Sequence, residues 1–67
     1  MAFRRIRDLR EDHDLTQQQV ADILNINRRT YSGYEIGNRT IPPEVLIGLA
    51  QLYNVSVDYI LGISNEK

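Results

Sequence analysis

The sequence contains no cysteine in its 67 residues. This absence excludes disulfides and cysteine-ligated metal sites, and it is typical of proteins that stay in the reducing cytoplasm, where we expect this one. Long apolar runs are also missing, since no stretch approaches the roughly 20 residues of a membrane span and the charged N-terminus has no apolar signal core. We therefore expect no membrane association. A chain of this length makes one domain.

Histidine and glycine are scarce as well. His13 is the one histidine, and neither a cysteine nor an acidic pair in a motif context accompanies it. The four glycines, at positions 33, 37, 48 and 62, are too scattered to form a phosphate-binding loop. Catalytic and metal sites need such clusters of residues. We therefore expect no enzyme, no cofactor, no metal and no small-molecule ligand.

Proline is confined to positions 42 and 43. No segment alternates apolar and polar residues for long enough to form a strand, so the sequence predicts an all-α fold. Helical spacing and capping residues predict five helices. The first covers residues 2–12, the second begins after Thr16 and ends at Asn25, and the third covers residues 28–36. The fourth begins near Pro42 and Pro43 and ends at Asn54, and Ser56 caps a short last helix. Residues 1–63 are expected to form the domain and residues 64–67 a polar tail.

Charge is nearly balanced overall, with a net charge of −1 and a pI of about 5.7. Such a balance argues against indiscriminate binding to nucleic acids. The distribution is uneven, however, because seven of the eight basic residues lie at or before Arg39, and Arg28, Arg29 and Arg39 lie in or just after the third helix. A local basic face of this kind is compatible with specific binding to a nucleic acid.

The second and third helices carry the most informative pattern. Thr16 and Gln19 match a capping box, Asn25 suits a left-handed helix end, and Asn27 caps the third helix. Ala21 supplies the small side chain that is needed where two helices cross closely. The pattern predicts a helix-turn-helix, in which the third helix enters the major groove of DNA with its N-terminal residues towards the base edges.

The outward face of the third helix is expected to contact bases. Arginine binds guanine through two hydrogen bonds to O6 and N7, and Arg28 and Arg29 occupy the first turn. Ser32 lies on the same face. Gly33 lies one helical turn after Arg29. Its missing side chain either allows close approach of the DNA or leaves one base position without a contact.

Contacts with the DNA backbone are expected around that helix. The N-terminus of the second helix, where Thr16 and Gln17 lie, has free N–H groups and a favourable dipole for a phosphate. Further candidates for phosphate contacts are polar residues at the start of the third helix, near its end and in the loop that follows it. They are Asn27, Tyr34, Asn38, Arg39 and Thr40.

In combination, these features resemble the helix-turn-helix of the phage repressor/Cro class, the XRE family. The resemblance covers roughly residues 6–61 and rests on Leu15-Thr16-Gln17, Val20-Ala21, Ile26, Glu35, Gly37, Pro42, Leu46, Leu49-Ala50 and Val55-Ser56. It implies a five-helix, lambda-repressor-like domain that binds operator DNA with its third helix in the major groove. It also implies an ion pair between Arg10 and Glu35. Gly33 is a departure, because many members carry a base-reading side chain there.

We expect the C-terminal region to form the interface of a dimer. Apolar residues remain there after helices one to four have supplied a core, and such a surplus favours a symmetric interface. The predicted interface residues are Tyr53, Tyr59, Ile60 and Ile63. Members of the XRE family usually bind as symmetric dimers, which implies a homodimer on a pseudo-palindromic double-stranded operator.

These observations predict a sequence-specific DNA-binding transcriptional regulator, and specifically a repressor, of bacterial or phage origin. Two alternatives stay open. One is a protein-interaction module, an antitoxin or anti-repressor, whose binding does not depend on neutralising phosphates. The other is the DNA-binding domain of a longer regulator.

Overall fold

The computed structural model describes residues 3–67, which contain five α-helices and no strand. The helices are α1 (Arg4–Asp12), α2 (Gln17–Leu24), α3 (Arg28–Ile36), α4 (Pro43–Tyr53) and α5 (Val57–Leu61). The all-α prediction is therefore confirmed. Ala2, the predicted start of the first helix, lies outside the described residues. None of these helices is long and apolar enough to cross a lipid bilayer.

The ends of α2 and α3 follow the predicted capping pattern. The Thr16 hydroxyl oxygen accepts a hydrogen bond from the Gln19 backbone N–H at 3.0 Å, and the Gln19 side-chain oxygen accepts from the Thr16 N–H at 2.8 Å. Asn25 closes α2 with a left-handed φ of 57°. The Asn27 side-chain oxygen then accepts from the Arg29 N–H at 2.7 Å. Local hydrogen bonds thus fix the short turn between the two helices.

A single core joins all five helices. α2 and α3 pack against each other, and Ala21 of α2 and Tyr31 of α3 are fully buried. α5 packs against both α1 and α4, which closes the core from the C-terminal side. The other buried apolar residues are Ile6, Leu9, Val20, Tyr34, Ile41, Val45, Leu49, Tyr53 and Ile60.

The predicted dimer interface in the C-terminal region is wrong for two of its four residues. Tyr53 and Ile60 are only 4% and 1% exposed, so they belong to the core and form no surface for a second copy. Tyr59 is half-buried beneath the Arg5 guanidinium, which lies 4.1 Å from its ring centroid. Ile63 alone is largely exposed, at 73%. An apolar stripe has the same spacing whether it faces its own chain or a partner, so the sequence could not distinguish the two.

The predicted polar tail is held against the domain. One guanidinium nitrogen of Arg5 donates to the backbone oxygens of Tyr59 and Ser64, at 2.8 and 2.6 Å, and another donates to the Asn65 side chain at 2.8 Å. The Ser56 hydroxyl also donates to the Glu66 carbonyl oxygen at 3.3 Å. Residues 64–67 form no helix, and Arg5 connects them to α1.

Candidate nucleic-acid interface

The outward face of α3 and the loop after it form an open groove of about 390 Å³. One wall is the face of α3 from Arg28 to Ile36, and the other wall is formed by Asn38 and Arg39. Arg28 and Arg29 are exposed and Ser32 is half-buried. The structure therefore brings the predicted base-contacting residues together with the loop residues that were expected to contact phosphates.

This surface is positively charged although the protein is slightly acidic. Arg28, Arg29 and Arg39 are all exposed, and none has a carboxylate within ion-pair distance among residues 3–67. The only acidic residue between Asp22 and Glu44 is Glu35. Its side chain is 4% exposed and paired with an arginine, so it adds no free negative charge to the groove.

Gly33 lies beneath the loop rather than on the open surface. A β-carbon added to this buried glycine would lie 2.6 Å from Cδ and 2.9 Å from Cγ of Arg39, and 2.8 Å from Oδ1 of Asn38. The stem of Arg39 therefore covers the position that a side chain at residue 33 would fill. The expected contact between Gly33 and bases requires Arg39 to move aside.

The predicted backbone-contacting residues have different environments. Thr16, Asn27, Asn38 and Thr40 are exposed near the ends of α2 and α3. Gln17 points its amide inward, where Nε2 donates to Glu35 Oε1 at 3.1 Å. A phosphate at this helix end therefore meets the unpaired backbone N–H groups of the first turn before it meets the Gln17 side chain.

Tyr34 is only 6% exposed and is the most buried of the predicted backbone-contacting residues. It belongs to the hydrophobic core cluster of buried residues. Any contact with a phosphate is therefore restricted to the edge of the side chain that remains at the surface.

The implied ion pair between Arg10 and Glu35 is present and is bidentate. Arg10 Nε donates to Glu35 Oε2 at 2.7 Å and Nη2 donates to Oε1 at 3.1 Å. The remaining Nη1 donates to the Leu15 carbonyl oxygen at 2.9 Å. Together with the Gln17 bond, this network ties α1, the start of α2 and α3 into one unit. It thereby fixes the orientation of α3 relative to the rest of the domain.

Electrostatics around Glu35 favour its charged form. Burial acts to raise the pKa of Glu35, but hydrogen bonds from Arg10 and Gln17 and the nearby Tyr31 hydroxyl outweigh it, so this pKa lies below its usual range. The hydrogen bond to Glu35 also raises the pKa of Arg10. Both groups therefore stay ionised at neutral pH.

Two tyrosine hydroxyls are buried beside this network. The hydroxyl groups of Tyr31 and Tyr53 have no hydrogen-bond partner of good geometry within residues 3–67. Burial, together with the negative charge of Glu35, raises the pKa of Tyr53 to about 12 and raises that of Tyr31 still further. Both phenols are therefore neutral at neutral pH.

Ile36 is a surface residue that the sequence analysis missed. It is 68% exposed and lines the groove beside the arginines. The sequence did indicate this position, because residues 28, 32 and 36 are spaced four apart and therefore share one face of a helix. An exposed isoleucine at that position adds an apolar contact to an otherwise polar surface.

The fold and this surface define an all-α domain with a helix-turn-helix formed by α2 and α3. The chain belongs to the helix-turn-helix family HTH_3, whose pattern matches residues 6–60. Family membership thus covers both helices of the motif, the groove and most of the core.

Individual proteins and one solved structure show the same relationship. The chain is 44% identical over 66 residues to a Bacillus subtilis (strain 168) protein named uncharacterized HTH-type transcriptional regulator YobD. It is 38% identical over 63 residues to the cryptic phage CTXphi transcriptional repressor RstR of Vibrio cholerae. A crystal structure of a transcriptional regulator from Listeria innocua superposes with a TM-score of 0.80 at 33% identity.

These similarities cover nearly all of this chain but little more than half of each relative. The alignments include 98% of the chain and 59% of YobD, and 94% of the chain and 57% of RstR. The Listeria structure is matched over 91% of this chain and 57% of its own length. The chain therefore spans only part of the length of these relatives.

Proposed function

We propose that this chain is a DNA-binding transcriptional regulator that inserts α3 into the major groove of a specific duplex site. The observation that carries this proposal is the groove with three exposed arginines and no exposed carboxylate, on a protein whose net charge is −1. A general affinity for polyanions is weak at that net charge, whereas a local basic surface suits one oriented complex. Relatives named as transcriptional regulators support the same function.

Base reading is assigned to the outward face of α3. Arg28 and Arg29 extend from the first turn, where bidentate contacts with guanine O6 and N7 are geometrically favourable. Ser32 can donate to or accept from a base edge one turn later. Ile36 offers an apolar contact to a thymine methyl group.

Phosphate contacts are assigned to the two ends of the motif. The N-terminus of α2, with Thr16 and the backbone of Gln17, suits a phosphate because its N–H groups and dipole face outward. Asn27 and the loop residues Asn38 and Thr40 flank α3, with the edge of Tyr34 beside them. Such contacts set the register of the domain on the duplex and carry no sequence information themselves.

Two copies on a pseudo-palindromic site complete the proposal. One helix-turn-helix reads only a few base pairs, and two related by a dyad place their recognition helices about 34–36 Å apart, one DNA turn. Ile63 is the exposed apolar residue nearest the C-terminus and is the remaining candidate for the contact between copies. We expect such a complex to act in the bacterial cytoplasm as a repressor, by occupying an operator.

Selection from a library of random duplex DNA tests the function. The parent chain is expected to enrich one site with two related half-sites. Arg28→Ala or Arg29→Ala should weaken binding to that site by about 1–3 kcal/mol and relax the preference at particular base pairs. Arg4→Ala removes an exposed arginine of α1 outside the groove and serves as the charge-matched control. It should retain the parent preference.

The outcomes separate the candidate functions. In one outcome, the parent chain enriches no sequence and its binding to duplex DNA does not weaken as salt rises. That result would refute sequence-specific DNA binding and favour the protein-interaction alternative. Enrichment of a single half-site by one chain would refute the dimer but keep the reading of bases by α3. Sedimentation of Ile63→Asp with the selected duplex tests the contact between copies.

A further inference from the structure

We propose that Arg39, which comes from the loop after α3, reads a base edge in place of the side chain that Gly33 lacks. This inference rests on the proposed binding of DNA by α3. It assigns Arg39 to sequence recognition, whereas its position in the sequence suggested only a contact with a phosphate.

The position of the Arg39 stem is the first observation. Its Cδ and Cγ atoms lie 2.6 and 2.9 Å from where a β-carbon of residue 33 would be. Real side chains do not approach a β-carbon so closely, so this path across α3 exists only because residue 33 is glycine. The arginine stem thus occupies the place of a side chain on the recognition helix itself.

The loop backbone is fixed in a way that maintains this path. The Gly33 carbonyl oxygen accepts hydrogen bonds from the Gly37 N–H at 2.9 Å and from the Asn38 N–H at 3.1 Å. Gly37 itself has a left-handed φ of 96°, the usual geometry of a helix C-terminus that turns back on its last turn. Arg39 follows directly after these bonds, so its starting point is held relative to Gly33.

The guanidinium group is available for a ligand. Arg39 is exposed, lines the same groove as Arg28 and Arg29, and has no carboxylate partner among residues 3–67. A planar guanidinium in the groove can bind guanine through O6 and N7. A phosphate is the alternative ligand for this charge. The stem of Arg39 lies over Gly33, on the same groove as Arg28 and Arg29, and for this reason we assign Arg39 to a base.

The test compares variants of the chain on a library of random duplex DNA, followed by binding to the site that the parent selects. Arg39→Ala should lose the preference at one or two base pairs, with a decrease of about 5- to 150-fold on the parent site. Arg39→Lys keeps the charge but lacks the two-pronged donor. It should keep the parent salt dependence without recovering the lost preference.

Gly33→Ala provides a second perturbation that leaves the arginine in the chain. Its β-carbon displaces the Arg39 stem, so the same base pairs should lose their preference as in Arg39→Ala. Alanine favours helix more than glycine does, and the displaced atoms belong to exposed side chains, so we expect this variant to fold. Circular dichroism and thermal unfolding check that. If Gly33→Ala does not fold, the two Arg39 variants decide the matter.

An equal loss of affinity for all DNA sequences would overturn the inference. If Arg39→Ala weakens all sequences equally and lowers the salt slope by about one, and Arg39→Lys restores both, then Arg39 contacts a phosphate. The proposed function would stand in that case, because the parent would still select a site. Failure of the parent to select any sequence would remove both proposals together.

Discussion

Replacement of Glu35 by alanine should destabilise the domain strongly. Glu35 is 4% exposed at its side chain and accepts two hydrogen bonds from Arg10, whose side chain is 14% exposed. Without Glu35, the Arg10 guanidinium keeps only its bond to the Leu15 carbonyl and remains a partly buried charge without a counter-ion. Removal of one member of a fully buried pair typically costs about 3–5 kcal/mol, and because Arg10 is only partly buried we expect a loss at the low end of that range.

That loss is large for a chain of this size. Domains are stable by about 0.05–0.15 kcal/mol per residue, which for 67 residues amounts to about 3–10 kcal/mol. A loss of 3 kcal/mol lowers the melting temperature of a small domain by roughly 12 °C or more. Glu35→Ala should therefore remove roughly a third or more of the parent stability and melt clearly below the parent. Glu35→Gln, which keeps an acceptor and the shape, should lose less.

Thermal unfolding followed by circular dichroism measures these differences. Glu11→Ala is the matched control, because its pair with Arg7 at 3.5 Å is exposed at 64% and 54%. It should cost only about 0.2–0.5 kcal/mol. The double variant Arg10→Met with Glu35→Leu removes both charges and should recover much of the stability. A parent-like melting temperature for Glu35→Ala, or no recovery in the double variant, would refute the reasoning.

Three further predictions concern pH and local backbone geometry. The pKa of Glu35 is lowered in the folded state. The stabilisation from its charged form is therefore present above the unfolded pKa of about 4.3 and is lost as pH falls through the folded pKa. The melting temperatures of the parent and Glu35→Gln should consequently converge in acid. A gap that stays constant down to about pH 2 would contradict this assignment. The buried Tyr53 hydroxyl has no hydrogen-bond partner among residues 3–67 and has a pKa of about 12. Tyr53→Phe should therefore be neutral or stabilising in urea unfolding at pH 7, and it should unfold less readily than the parent as pH rises from about 10. A clear loss of stability at pH 7 would indicate a hydrogen bond to that hydroxyl. Asn25 has a left-handed φ of 57°, so Asn25→Ala should cost about 1 kcal/mol in the same assay while Asn25→Gly should not; equal losses in both would indicate that the Asn25 side chain itself stabilises the turn.

The helices and their ends were predictable from the sequence because they depend on neighbours a few residues away. The Thr16 capping box joins residues three apart, and the Asn27 cap joins residues two apart. The apolar spacing that makes a helix amphipathic is likewise a local property. For the same reason, the outward face of α3, with Arg28 and Arg29, followed directly from their positions at the first turn.

Contacts between distant segments decided the rest. The bonds from Arg5 to Tyr59 and Ser64 join residues 54 and 59 positions apart, and no local pattern indicates them. Burial of Tyr53 and Ile60 depended on α5 packing against α1 and α4, so their apolar character alone suggested an interface with a partner.

The sequence by itself thus determined a helix-turn-helix with arginines at the start of its third helix, because capping and helical spacing act over one or two turns. Tertiary structure decided that Gln17 binds Glu35 and that the stem of Arg39 lies over Gly33. Both arrangements depend on the path of a neighbouring segment through space. The direction of a long polar side chain is set by what packs beside it, and only the folded chain supplies that neighbour.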